Sequence, residues 1–284
     1  MDSIVLTQLL NVTYVVVTLV VIAMGLAIVF GLLGVLNLAH GEFIMIGAYS
    51  AFFSRSQGWP YLAAVPVVLA ACVILGWVVE RALIRPLYNR PFDTLLATWG
   101  LSLVLRKLID FKYGKGFQNL KVPISTSIKF MGTAYPTYRL LLLIISVIAI
   151  LILIVWYLNS HTGTRIKAMV GNSELAQAVG IRVDRLAQST FIVGTCLGGL
   201  AGVMIAPLVP VHPYMGIDYI LKSFFVLVVG GLGSLTGLIA GATIIGGVES
   251  AASAIFERTY GYLSVLIIAI FFLWLRPRGI FSHT

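Results

Sequence analysis

Asn37, His40 and Glu42 fall within six residues of one another inside the otherwise apolar stretch GLLGVLNLAHGE, Gly31 to Glu42. An imidazole two residues from a carboxylate first suggests a metal site. Two ligand types without a third partner argue against one. The remaining reading is that these side chains hydrogen-bond peptide groups freed by a helix break, with Asn37 turned toward a solute. A second interruption, GGLGSLTG from Gly230 to Gly237, carries Ser234 and Thr236. Their hydroxyls either bind a small polar molecule or cap the adjoining helix. Glu249 lies inside an apolar segment, where an ionised carboxylate costs several kcal/mol unless paired or wet. It either lines a polar path or holds two helices together. Thr98 offers a hydroxyl for selectivity, and the adjacent Trp99 is either part of the same lining or an interfacial anchor. His212, Pro213 and Tyr214 follow the sixth apolar run and offer a docking point for an outside protein, by position alone. The four histidines form no pair at helical spacing and no convergent acid cluster accompanies them, which argues against an embedded enzyme.

The elements that must position these residues are membrane helices. Of 284 residues, 60% are hydrophobic and 10% charged, with mean hydropathy +1.02. Soluble domains carry about 25% charged residues. Apolar runs fall near 12–36, 38–53, 61–79, 94–105, 140–158, 186–208, 220–233, 235–254 and 262–275. The expectation is an all-α, polytopic bundle of eight or nine membrane segments forming one domain over residues 1–284. Several runs are shorter than the roughly 20 residues that span the hydrocarbon core, as half-helices would be. Cys72 and Cys196 sit in separate apolar runs and read as small buried hydrophobes. Residues 1–11 lack the basic region of a cleavable signal. The net charge of +9 is spread over many short loops, which suits anionic lipid headgroups better than nucleic acid.

Glycines Gly31, Gly34 and Gly41 mark the first interruption, and Gly230, Gly231 and Gly233 the second. Irregular backbone at membrane depth survives where protein or a water-filled cavity satisfies it, so such breaks point to a translocation path. Close helix packing is the compatible alternative. One break in each half hints at an inverted repeat. The cations divide between two faces: Arg81, Arg85, Arg90, Arg165, Lys167, Arg182, Arg185, Arg276 and Arg278 on one, and most of the others, including those around the 110–137 loop, on the opposite face. Charge alone does not orient the chain.

The long polar stretch 159–186 contains NSELAQAVGI from Asn172 to Ile181, which reads as a short surface helix. Ser173 caps it, Glu174 faces the positive end of its dipole, and Gly180 ends it. Leu175, Ala178 and Val179 share a face. Such a helix either lies in the membrane interface or docks on a partner.

Five blocks in order carry a family resemblance: NLAHGEFIMIGAY from Asn37, GTRIKAMVGNSELAQAVGIRVDR from Gly163, FIVGTCLGGLAGVMIAPL from Phe191, SFFVLVVGGLGSLTGLIAGA from Ser223, and RPRGIF from Arg276. Together they resemble the branched-chain amino acid and urea permeases of ATP-binding cassette importers. Glu174, Ala176 and Gly180 match the Glu-x-Ala-x-x-x-Gly core of that family's coupling loop. The resemblance implies a cytoplasmic coupling loop at 159–186, an outside N-terminus and 110–137 loop, and a place in the bacterial inner membrane. It also implies an ATPase-contacting set of Glu174, Leu175, Ala176, Val179 and Gly180. The implied partners are a second permease, two ATPase subunits and an extracytoplasmic solute-binding protein. No GxxxxGK[ST] loop occurs, so ATP and Mg are expected on the ATPase subunits, with no cofactor in this chain. FDTLLATWGLSLVLRK from Phe92 and YILKSFFVLVVGG from Tyr219 look more like the urea permeases, which makes urea or short amides the expected solute and a branched-chain amino acid the alternative. A passive urea-type channel is the third reading, and the coupling pattern stands against it.

Overall fold

The computed structural model describes residues 3–34, 36–88, 90–130, 133–276 and 279–281. Arg278 and Pro277, named above, lie outside the described residues. Eleven α-helices make up most of the described chain: α1 Ser3–Leu33, α2 His40–Ser56, α3 Ala64–Val79, α4 Pro91–Tyr113, α5 Thr137–Asn159, α6 His161–Gly171, α7 Ser173–Ala178, α8 Val183–Ile205, α9 Met215–Gly230, α10 Leu235–Ile255 and α11 Arg258–Leu275. Among the described residues, five spans are long and apolar enough to cross a membrane: Val5–Leu33, Tyr61–Leu87, Thr137–Asn159, Val183–Ile205 and Leu235–Ile255. Helices α2, α4, α9 and α11 complete the bundle.

The all-α expectation needs one addition, a small antiparallel hairpin of β1 Ser127–Phe130 and β2 Thr133–Pro136 in the loop before α5. The fourth segment also outruns its apolar stretch of 94–105, reaching Tyr113. Its cations break the hydropathy but not the helix, because Arg106 finds a buried carboxylate on α2 and Lys107 pairs with Asp110 one turn on. Helix α3 continues through a π-turn at Glu80–Ile84 and a 3-10 turn at Arg85–Leu87. There Glu80, fully buried, accepts hydrogen bonds from Arg85, Tyr88 and Gln188 and so fastens the end of this span to the start of α8.

Helix α8 is the hub, packed on α1, α2 and α3. Its glycines let backbones meet: a Cβ on Gly202 would stand only 1.9 Å from the Ile44 carbonyl oxygen of α2. Small residues at such crossings are how membrane helices approach closely without a hydrophobic drive between them. One apolar cluster, around Phe43, Ile44, Val68 and Val203, joins α2, α3 and α8. A second, around Leu26, Leu227 and Ile245, joins α1, α9 and α10. Helix α5 leaves most of its apolar side chains outward, as a lipid-facing helix does.

Candidate translocation path and coupling surface

Helix α1 ends at Leu33, with Gly34 in the left-handed region at φ 64°, and α2 begins at His40. The interruption is therefore shorter than the glycine pattern suggested. Gly31 and Gly41 lie within helices, and both are packing glycines: a Cβ on Gly31 would meet Gly233 at 3.1 Å, and one on Gly41 would strike the Gly216 carbonyl at 2.0 Å. The freed backbone is satisfied by side chains. Asn37 Oδ1 accepts from Ala39 N at 3.0 Å, and Thr98 Oγ1 accepts from Leu38 N at 3.2 Å while donating to Leu95 O at 3.0 Å. His40 Nε2 donates to the Ile22 carbonyl of α1 at 3.1 Å. Asn37, His40, Glu42 and Thr98 are all buried.

One turn into α2, Glu42 Oε1 accepts from Ser102 Oγ at 2.8 Å and from Arg106 Nη2 at 2.7 Å, both on α4. Arg106 also lies over the Tyr214 ring, 5.5 Å from its centroid. Four buried polar atoms of this cluster have no hydrogen-bond partner among the described residues: Asn37 Nδ2, His40 Nδ1, Glu42 Oε2 and Arg106 Nε. Unpartnered buried polar groups each cost about 1–3 kcal/mol, so their gathering at one helix break is not a packing solution. Arg106 and Ser102 were absent from the sequence expectation. The signal that could have found them was a cation in a segment otherwise apolar enough to be buried, which demands a counterion.

The second break is built differently. Gly231 at φ 109° and Gly233 at φ 84° turn the chain between α9 and α10 through conformations that side chains avoid. Gly230 is the last residue of α9 and packs on Gly237. The free carbonyls at the end of α9 are taken by the C-terminal segment, with Ile280 N donating to Val229 O and Phe281 N to Gly230 O. Ser234 caps α10, accepting from Gly237 N at 3.1 Å, and its oxygen lies 2.8 Å from the Thr236 hydroxyl. Glu249 on α10 pairs with Lys222 on α9 at 2.5 Å. Lys222, also missed from sequence, sits over the Tyr262 ring of α11 at 4.3 Å, so the pair ties three helices.

The 159–186 stretch folds as two helices where one was expected. Asn172, not Ser173, caps α7, accepting from Leu175 N at 2.9 Å, because its extended backbone occupies the cap position and Ser173 is already helical. Gly180, at φ 88°, ends the turn after α7. Leu175 and Val179 are 64% and 70% exposed, Glu174 is exposed, and Ala176 is 3% exposed, packed inward. Trp99 is 54% exposed on α4, whereas the adjacent Thr98 is buried. At the opposite end, the Val211–Gln118 backbone bridge joins two loops, His212 stacks edge-on against Phe117 at 5.0 Å, Pro213 is buried and Tyr214 is exposed. Burial lowers the His212 pKa against the opposing pull of Asp218.

Comparisons with known proteins agree with this architecture. The family described as branched-chain amino acid transport system, permease component, matches residues 8–275. The chain is 28% identical over 286 residues to the high-affinity branched-chain amino acid transport system permease protein LivH of Escherichia coli K12, covering 94% of this chain and 92% of the relative. It is 27% identical to the corresponding BraD protein of Pseudomonas aeruginosa, covering 98% and 96%. In fold alone it is similar to a solved structure of PsaBC from Streptococcus pneumoniae in complex with Fab, with TM-score 0.53, 13% identity and coverage of 95% and 92%. These relatives favour the amino acid branch over the urea branch suggested by the Phe92 and Tyr219 stretches. The chain belongs to the permease component family of branched-chain amino acid transport systems, and is a multi-pass transport subunit of the inner membrane.

Proposed function

We propose that this chain forms half of the translocation path of an ATP-driven importer for branched-chain amino acids, and that the solute passes the α1–α2 break beside Glu42 and Arg106. The observation that carries the reading is the buried carboxylate–guanidinium pair with unpartnered atoms on both members, next to Asn37 and His40. A zwitterion needs one contact for each end, and this pair supplies an acceptor for the ammonium and a donor for the carboxylate. Urea needs neither. The names of the relatives support the same solute class.

The family resemblance supports the remaining parts of this reading. The loop 159–186 faces the cytoplasm, and α7 presents Leu175, Val179 and Glu174 to an ATPase subunit, with Gly180 setting the turn and Ala176 holding α7 against the bundle. Two ATPase subunits carry ATP and Mg, a second permease completes the path, and a solute-binding protein delivers the solute to the face bearing His212 and Tyr214. ATPase closure moves α7, and the Glu80 network passes that motion from α8 to α3. Glu249 with Lys222 locks α9, α10 and α11 as a unit, and Ser234 and Thr236 serve as a cap.

The test is uptake of labelled leucine and of labelled urea by proteoliposomes holding the complete transporter, with and without ATP. The expected result is ATP-dependent leucine uptake abolished by Gly180→Val while the protein remains inserted. ATP-dependent urea uptake in place of leucine would restore the urea reading, and ATP-independent flux would replace the importer with a channel.

A further inference from the structure

At the end of the bundle that bears α6 and α7, two hollows adjoin. One is an apolar cavity of about 240 Å³ between α1, α5, α6 and α8, walled by Met24, Ile28, Leu153, Trp156, Ile166 and Val193 among others. The other is a cleft of about 490 Å³ around Arg165, Arg182 and Arg185. They share Leu186 and Ser189 as a common wall. None of the three arginines pairs with a carboxylate among the described residues, and no acidic side chain lines the cleft. Arg182 occupies the cap position of α8, whose N-terminus receives no side-chain cap, while Asp184 in the first turn of that helix lies outside the cleft lining.

We propose that these hollows form one binding site for an anionic phospholipid, with the phosphate among Arg165, Arg182 and Arg185 and one acyl chain in the apolar cavity. The dimensions suit the ligand. Met24 to Gly31 along the cavity wall is two turns of helix, about 10 Å, enough for the first part of an acyl chain, and the lipid-facing helix α5 forms one side of the entry. An acidic segment of a partner protein would satisfy the arginines but would have no use for the apolar half. The site touches both the coupling turn, through Val179 and Gly180, and the α1 end beside the second break, through Gly31 and Gly233. A bound lipid there braces α6 and α8 against α1, and so sets how firmly motion of α7 reaches the path.

The experiment is native mass spectrometry of the full-length permease in detergent, titrated with phosphatidylglycerol, phosphatidylcholine or inorganic phosphate. The intact chain should hold one phosphatidylglycerol and discriminate against phosphatidylcholine. The triple variant R165Q/R182Q/R185Q should bind phosphatidylglycerol about 100-fold more weakly, at roughly a factor of five per basic residue near an anionic headgroup, while Lys121→Gln in the opposite loop leaves binding unchanged. Ile28→Trp, which fills the cavity, should weaken long-chain phosphatidylglycerol but not its dihexanoyl form; a thermal melt of each variant separates lost binding from lost folding. Equal lipid binding by the triple variant overturns the proposal. So does displacement of the lipid by millimolar phosphate, which would mark a headgroup-only anion site. Loss of ATPase co-purification in the triple variant with lipid binding intact would assign the arginines to a protein partner instead.

Discussion

The two helix breaks solve the same problem with different materials. At α9–α10 the freed backbone is paired with backbone, from Ile280 and Phe281, and with a local serine cap. At α1–α2 it is paired with side chains, of Asn37 in the break itself and of Thr98 on α4, and a charged pair lies beside it in a cluster with four unpartnered polar atoms. A break closed by backbone partners and a helix cap is a structural turn. A break that keeps buried hydrogen-bonding capacity in reserve is suited to a passing polar solute, which supplies partners that the resting fold lacks.

The largest effect should come from splitting the first-break pair. Arg106→Leu leaves Glu42 buried without its counterion, a loss of about 3–5 kcal/mol, and should abolish both leucine uptake and stable insertion. Glu42→Gln keeps the Ser102 contact and removes the charge; it should lower uptake at least tenfold with a smaller fall in melting temperature. If Glu42→Gln transports normally, the pair is a structural tie and the contrast between the breaks dissolves. At the second break Gly231→Ala forces a side chain into φ 109° against Phe281, and should cost about 1–3 kcal/mol without changing the solute preference of the protein that folds. The smallest effects belong to caps: Ser234→Ala and Asn172→Ala should each cost about 1 kcal/mol. Ser234→Ala should spare transport. Asn172→Ala, by loosening α7, should raise ATP use per leucine imported, read from parallel ATPase and uptake rates.

What the sequence revealed followed from hydropathy and glycine. The membrane helices, the two breaks and the α7 turn were visible because apolar runs and Gly34, Gly180, Gly231 and Gly233 mark them locally. The partners of the buried acids were not. Arg106 and Lys222 sit 64 and 27 residues from Glu42 and Glu249, and no local pattern pairs a carboxylate with a cation on another helix. Gly31, Gly41 and Gly230 read as breaks but serve packing, since a glycine against a neighbouring backbone and a glycine at a turn look alike in one dimension. Ser173 and Asn172 are both good caps, and only the backbone of Asn172, still extended, decides between them.

The most direct test places a single cysteine at each break in a background where Cys72 and Cys196 are replaced by alanine. Asn37→Cys and Thr236→Cys transporters are exposed to a small thiol reagent during ATP-driven turnover, with and without saturating leucine delivered by the binding protein. The account predicts that Asn37→Cys reacts during turnover and is protected by leucine, whereas labelling of Thr236→Cys does not respond to leucine. Protection at Thr236→Cys with none at Asn37→Cys would contradict it and move the path to the second break.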